Sequence, residues 1–489
     1  MVLPLSVNLV GAFTSVMMQA GPARSPGAPP GTTPPVASPG VAPRPPAPST
    51  ANLLEGAADK ARPSLDLESA ERTGIQNQPN LRQARYATSA AVGRVSEARS
   101  GYLPQVTASA QVTYGNLTAH TTSVGAPVAT GTVSTGAVAW NSPGIGYNAQ
   151  VNATQLIYDF GVTSEKWKSA DRSVEALQAT ETVTRNQVLF NVRSSFFTAR
   201  ADHALIGVQR DTLANLEKHL TQTKGFVRAG TQPEIALAQT LTDVANAKVQ
   251  LIQAENNYDT ARAQLNQAMG VTTIVDYDVA DEGLGTVDGE DLPSEQLIAR
   301  ALAARPELAS LVKQHEADVL TVRSIKGGYA PSISGLAGVG VFGTPLTLEG
   351  AGGQSTGTSQ YAGWDIGVGL TWPLFQGGLT NGQVREAEGN LGVVDAQLEA
   401  ERLQVRFDVE QARLAVRTAK VSISAADEAL VNAKEQLRLA EASYSQGVGN
   451  IIQLGDAQVA ETSAAAQRVQ ADFNLAIARS QLLLALGHP

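Results

Sequence analysis

The sequence predicts a mixed α and β chain built from two copies of one unit, each running helix, β-hairpin, long helix, turn, helix. Three observations carry that reading. Short motifs recur at a nearly constant separation. Segments of period-two alternation stand between long proline-free helical stretches. One of those stretches keeps an apolar residue at every seventh position.

The duplication appears first in the paired motifs. Gln78-Pro79-Asn80-Leu81 returns as Arg305-Pro306-Glu307-Leu308, and Gly101-Tyr102-Leu103-Pro104 as Gly328-Tyr329-Ala330-Pro331, both 227 positions later. Tyr158-Asp159-Phe160-Gly161 matches Phe375-Gln376-Gly377-Gly378 at an offset of 217. Gly230, Arg262, Gln264 and Gly270 match Gly447, Arg479, Gln481 and Gly487 at the same 217. The offset changes once, between 104 and 158, so the first copy carries the longer hairpin loop.

Residues 1–23 read as a signal peptide with an apolar run from Val2 to Ala20. Residues 24–65 read as a Pro-rich linker and tail, because eleven prolines fall between 21 and 50. The first copy spans 66–270 and the second 294–487. Helical composition fills 66–100 and 294–326, ended by Pro104 and Pro331.

The hairpins are expected at about 103–160 and 331–376. In 105–114, 147–154 and 364–372 apolar residues alternate with uncharged polar residues or glycine, Asp365 excepted. Val106, Tyr114, Tyr147, Val151, Trp364, Ile366, Val368, Leu370 and Trp372 then form one apolar face, the membrane-facing side if these strands build a barrel. Strands of about ten residues suit a tilted membrane crossing. The Gly, Ser and Thr-rich stretches 115–146 and 343–363 read as loops.

Gly161–Ala229 and Gly378–Gln446 contain no proline, and each would give a helix roughly 100 Å long. In the second, Val384, Leu391, Leu398, Val405, Ala412, Ala419, Ala426, Ala433 and Ala440 form one row. Val409, Val416, Ile423, Leu430, Leu437 and Tyr444 form another, and such rows predict left-handed coiled-coil packing. Glycine-bearing turns at 228–233 and 446–450 end these arms. Between the copies, the acidic segment 271–293 lacks the register of a calcium loop and reads as a solvated equatorial linker.

Composition removes several functions. The 489 residues hold 36 basic and 45 acidic side chains, a net charge of −9 that argues against nucleic-acid binding. The absence of cysteine excludes disulfides, thiolate chemistry and a lipidated N-terminal Cys. Five scattered histidines form no HExxH pair, and no GxSxG or Walker motif occurs, so no enzyme activity, metal or cofactor is expected. With only four methionines, a copper relay is not expected either. Mean hydropathy is −0.08, yet alternating barrel strands average to neutrality. Four strands cannot close a barrel, so if these strands span a membrane the chain must oligomerise, a dimer giving eight strands and a trimer twelve.

The order, spacing and duplication of Gly101-Tyr102-Leu103-Pro104, Leu156-Ile157-Tyr158-Asp159-Phe160-Gly161, Trp372-Pro373-Leu374-Phe375-Gln376-Gly377-Gly378, Ala442-Ser443-Tyr444-Ser445-Gln446-Gly447 and Ala478-Arg479-Ser480-Gln481-Leu482 resemble the TolC family of bacterial outer-membrane efflux and secretion channels. The resemblance covers about 66–487. It implies a homotrimer with a 12-stranded barrel in the outer membrane and a coiled-coil helical barrel in the periplasm. It also implies a periplasmic adaptor (membrane fusion) protein and an inner-membrane pump of RND, ABC or MFS type, serving multidrug efflux or type I secretion. A soluble periplasmic coiled-coil scaffold or adaptor explains the helices but not the hairpins. A passive porin explains the hairpins but not the helices.

The resemblance also implies a pore constriction near the helix tips. The two ring aspartates of the family fall on Gln453 and Asp456, so only Asp456 keeps its acid. An arginine of the family's lock falls on Gly449, and its partner aspartate on Ala236, while Tyr444 is retained. The lock therefore differs here. Asp456 also suits plain stabilisation of its helix's first turns. The tips at Gly230, Thr231, Gly447 and Val448 are the expected adaptor-docking points.

Overall fold

The computed structural model describes residues 63–117, 142–272, 277–350, 353–446 and 448–488. The signal peptide, the linker up to residue 62, the first hairpin loop over 118–141 and Gly447 lie outside the described residues.

Chain order opens with strand β1 (Ser64–Leu65), helices α1 (Leu67–Asn77) and α2 (Pro79–Ser100), and strands β2 (Gln105–Leu117) and β3 (Ser142–Tyr158). Helices α3 (Val162–Arg228) and α4 (Glu234–Met269) complete the first copy. After β4 (Asp278–Val279), the second copy repeats the order: α5 (Ser294–Ala304), α6 (Pro306–Gly327), β5 (Ser332–Gly350), β6 (Gly353–Thr371), α7 (Leu379–Ser445) and α8 (Ile451–Ala485). Among the described residues, no helix is long and apolar enough to cross a membrane.

The helical composition expected over 66–100 is split in two at Gln78, and its counterpart at Arg305. Both residues are extended (φ −63°, ψ 121° and φ −66°, ψ 123°), because the following proline disfavours the α region before it. The splits sit against positive-φ glycines at the end of the same copy's last helix. Gly270 (φ +69°) packs on Asn77 and Gln78, and Gly487 (φ +78°) on Ala304 and Arg305. Gln78 Nε2 donates to the Ala268 carbonyl at 2.9 Å, and Arg305 Nε donates to that of Ala485 at 3.0 Å.

The long helices α3 and α7 have 67 residues each, so each spans about 100 Å. Both sevenfold rows of α7 turn inward: Val405, Val409, Ala412 and Val416 are buried in one core with Leu482 and Ala485 of α8. The first copy builds the matching core from Val192, Phe196 and Phe197 of α3 and Tyr258, Ala261 and Leu265 of α4.

Four strands form one antiparallel sheet in the order β2-β3-β5-β6. Its register aligns Ala108 with Val151, Val151 with Val339, and Val339 with Trp364, while Val112 meets Tyr147. Side chains alternate across a strand, so the expected residues Val106, Tyr114, Tyr147, Val151, Trp364, Ile366, Val368 and Leu370 share one face. The opposite face carries Gln111, Asn148, Gly340 and Asp365. Trp372 lies just past β6, where its indole Nε1 donates to the Tyr329 carbonyl at 3.1 Å.

Two expectations are corrected. The stretch 343–363 is not a loop: β5 and β6 continue as a ladder from Gly343↔Gln360 to Gly350↔Gly353. In the first hairpin the strands likewise reach Leu117 and start again at Ser142. Ladder bonds come from the backbone and need no apolar alternation, and the threonines there favour extended chain. The acidic segment 271–293 is also not merely a solvated linker. Its β4 pairs in parallel with β1, and Tyr277, Val279 and Val287 are buried. Three of its acids, Asp281, Glu290 and Asp291, pair with bases distant in sequence. Glu290 is buried and holds Arg479 at 3.0 Å and Lys420 at 2.7 Å, while Asp281 accepts from Arg200 at 2.8 Å.

Candidate functional site

The tips at the far ends of the long helices carry the expected site residues. At the first tip α3 ends in a left-handed Gly230 (φ +73°), and both the amide and the hydroxyl of Thr231 donate to the Phe226 carbonyl at 3.0 Å. At the second, the amides of Val448 and Gly449 both donate to the Ser443 carbonyl (3.1 and 2.9 Å), and Asn450 Oδ1 caps α8 by accepting from the Ile452 amide at 3.1 Å. Thr231 and Val448 are exposed, Val448 at 81 %. Gly447 belongs to this tip by sequence but lies outside the described residues.

The expected lock positions have specific surroundings. A Cβ at Gly449 would lie 2.8 Å from the Tyr444 nitrogen and 2.9 Å from the Ser443 carbonyl carbon. No side chain fits there without moving the backbone, so this tip excludes an arginine at that point. Ala236 is buried in the first turn of α4, where a carboxylate would lose its water. Tyr444 is buried rather than free in solvent. Its hydroxyl pairs with Thr223 Oγ1 at 3.1 Å, and its ring meets Phe226 edge-on at 5.7 Å. One turn away, buried His219 of α3 places Nε2 3.3 Å from Glu441 Oε1 of α7 and Nδ1 3.2 Å from Gln222 Oε1. These rungs tie the two helical hairpins together near the tips.

Gln453 and Asp456 are exposed on the first turns of α8. Asp456 lies on the rim of a groove of about 600 Å³ that the sequence reading did not foresee. Its floor is α3, with Leu216, His219 and Thr223. Its walls are α4, with Asp243, and α8, with Leu454 and Val459. Burial pushes the Asp243 carboxyl above its ordinary pKa. Asp243 and His219 carry no local signal in sequence, because the residues that give them meaning lie on other helices. The groove and rungs offer no nucleophile–base pair.

A sequence profile of the outer membrane efflux protein family matches residues 73–271 and 297–488. The chain is 24 % identical over 425 residues to outer membrane protein TolC of Escherichia coli (strain K12), covering 84 % of this chain and 79 % of that protein. It is 26 % identical over 298 residues to the solvent efflux pump outer membrane protein SrpC of Pseudomonas putida, covering 59 % and 60 % of the two chains. The crystal structure of the outer membrane protein VceC from Vibrio cholerae superposes with a TM-score of 0.70 at 15 % identity, over 86 % of this chain and 96 % of that one. Those two matched segments cover both copies of the unit and most of the chain: it belongs to the outer membrane efflux protein family.

Proposed function

We propose that this outer-membrane efflux channel is a homotrimer whose twelve strands (three times four) close one barrel, and whose helices form the duct that receives substrate from a periplasmic adaptor and an inner-membrane pump. The observation that carries this is the open sheet. Strands β2 and β6 each pair on one side only, yet the sheet has an apolar face across all four strands. In hydrocarbon an unpaired edge leaves backbone groups unsatisfied, so the edges must meet other copies. Two copies would give eight strands, a barrel just wide enough to be filled by its own side chains; three leave a water path. The name of the Pseudomonas putida relative, an efflux pump component, supports a pump as partner. A soluble scaffold leaves the apolar face unexplained, and a passive porin leaves the 67-residue helices unexplained.

The constriction is assigned to the start of α8. Asp456, with Gln453 beside it, faces solvent there, and three symmetry-related carboxylates around one axis attract cations. Gly449 and Ala236 leave no room for an arginine–aspartate lock, so the Tyr444–Thr223 and His219–Glu441 rungs take that part. The exposed tip residues Gly230, Thr231 and Val448, with Gly447 beside them in sequence, dock the adaptor.

The test is purified full-length protein in planar bilayers. Trimeric protein should conduct, and Asp456→Asn should lower cation preference and block by multivalent cations. Unchanged selectivity rejects the assignment of Asp456. A monomeric mass without conductance rejects the trimeric duct.

A further inference from the structure

The groove beside Asp456 has a composition that selects a class of ligand. At about 600 Å³ it is within the range that holds a drug-sized molecule. Leu216, Leu454, Ile452 and Val459 give it apolar surface, and Asp243 and Asp456 supply two carboxylates. No lysine or arginine lines it. Its one basic ring, His219, is buried and already faces Glu441 and Gln222. The amide nitrogen of Gln458, also in the lining, is buried and has no hydrogen-bond partner.

We propose that this groove is a binding site for amphiphilic organic cations, in which the apolar body lies along α3 and α8 and the positive group sits between Asp243 and Asp456. The claim deepens the proposed duct, because it rests on Asp456 facing the conduit and names what that site takes up. The physical reason is complementarity. A bare metal ion would gain nothing from the apolar floor, and a neutral solute would gain nothing from the acids. Asp243 is the sharper discriminator of the two. It has lost part of its water to the protein, so a cation there restores solvation that bulk solvent no longer supplies. A short-range charge pair in such a half-buried setting is stronger than one on the open surface. A groove of this kind would hold cationic amphiphiles briefly at the duct entrance and retard their return to the periplasm.

The test uses full-length protein in lipid nanodiscs, titrated calorimetrically with tetraphenylphosphonium, with empty discs subtracted. Triphenylphosphine oxide, of similar bulk but neutral, is the control. Asp243→Asn should weaken tetraphenylphosphonium binding by about tenfold, and Val459→Lys, at an exposed position on the same wall, should weaken it comparably. Asp243→Asn should leave the weak binding of the neutral probe unchanged. Equal affinity for both probes, or cation binding that ignores both substitutions, overturns the proposal. Bilayer selectivity of Asp456→Asn separates the two readings. Altered selectivity with cation binding indifferent to Asp243 removes the groove and keeps the constriction; weakened binding with unaltered selectivity does the reverse.

Discussion

The junction where each copy's first helices meet the end of its last helix should tolerate even a single methyl group poorly. Gly270 combines a left-handed backbone (φ +69°) with a Cβ position 2.9 Å from the Asn77 carbonyl carbon and 3.0 Å from Gln78 Cα. Gly487 repeats this at φ +78°, 3.0 Å from the Ala304 carbonyl oxygen and 3.1 Å from Arg305 Cα. Alanine there carries the left-handed penalty of about 1–2 kcal/mol and an overpacking cost of about 1–3 kcal/mol, since the neighbour is backbone and cannot rotate away. Gly230 separates the two costs. It has the same backbone sign (φ +73°), but nothing lies within 4 Å of its Cβ position, so Gly230→Ala carries only the first. With a midpoint change of about 2–4 °C per kcal/mol for a unit of roughly 200 residues, Gly270→Ala and Gly487→Ala should lower the thermal midpoint by about 4–20 °C and Gly230→Ala by about 2–8 °C. The assay is circular dichroism of detergent-solubilised protein at one scan rate, because unfolding of such a protein is under kinetic control. If Gly270→Ala loses no more than Gly230→Ala, the close approach of the two elements is wrong.

Two further outcomes follow from the equator and the tips. Burial pushes the Glu290 carboxyl up, but hydrogen bonds from Arg479, Lys420 and the Val287 amide outweigh it and hold its pKa below the ordinary value. A depressed carboxylate contributes stability that is present above its unfolded pKa, near 4.3, and lost as pH falls through the folded value. Glu290→Gln should therefore cost about 1.5–3 kcal/mol at pH 7 by removing the charge that faces Arg479 and Lys420, and should flatten the fall in thermal midpoint between pH 6 and pH 3; parallel curves would refute it. A photo-crosslinker placed at Thr231 or Val448 should trap a periplasmic adaptor in cells, whereas trapping confined to flank positions such as Val421 would move the docking surface.

Much of the architecture is legible because it rests on local rules. The long helices announce themselves by missing proline and by rows such as Val405, Ala412 and Ala419. The alternating strands fixed which residues share a face before their partners were known. The pairing of β3 with β5 was not legible, because it joins hairpins nearly 200 residues apart in sequence and no local pattern encodes it. The stretch 343–363 forms a ladder although its glycines and threonines have the composition of a loop, because a ladder asks only for backbone. The structural part of Asp281 and Glu290 is not legible locally, because Arg200, Lys420 and Arg479, which pair with them, are remote in sequence. At the site, Asp456 could be found through the resemblance alone. Asp243 and the His219–Glu441 rung required the helices to be set side by side.

The two copies keep their backbone requirements and exchange the chemistry around them. Gly270 and Gly487 persist because no other residue suits that backbone against a neighbouring chain. The side chains that bind the same junction differ: neutral Gln78 in one copy, and in the other Arg305, which also reaches Asp408 at 2.9 Å. Arg262 and Arg479 are equivalent cations with different partners. Arg479 is clamped by Glu290, whereas Arg262 lies over the rings of Tyr258 and Tyr277, 5.5 and 5.3 Å from their centroids. Burial pushes the Tyr277 phenol up to about 12, so it stays neutral and donates to Asn266 at 2.9 Å. Arg262 also donates to Asp259 at 3.3 Å, so rings and a carboxylate share that cation, whereas Glu290 holds Arg479 without any ring among the described residues. Protonating Glu290 removes the charge that faces both Arg479 and Lys420, so acid should loosen the second copy's equator at that point.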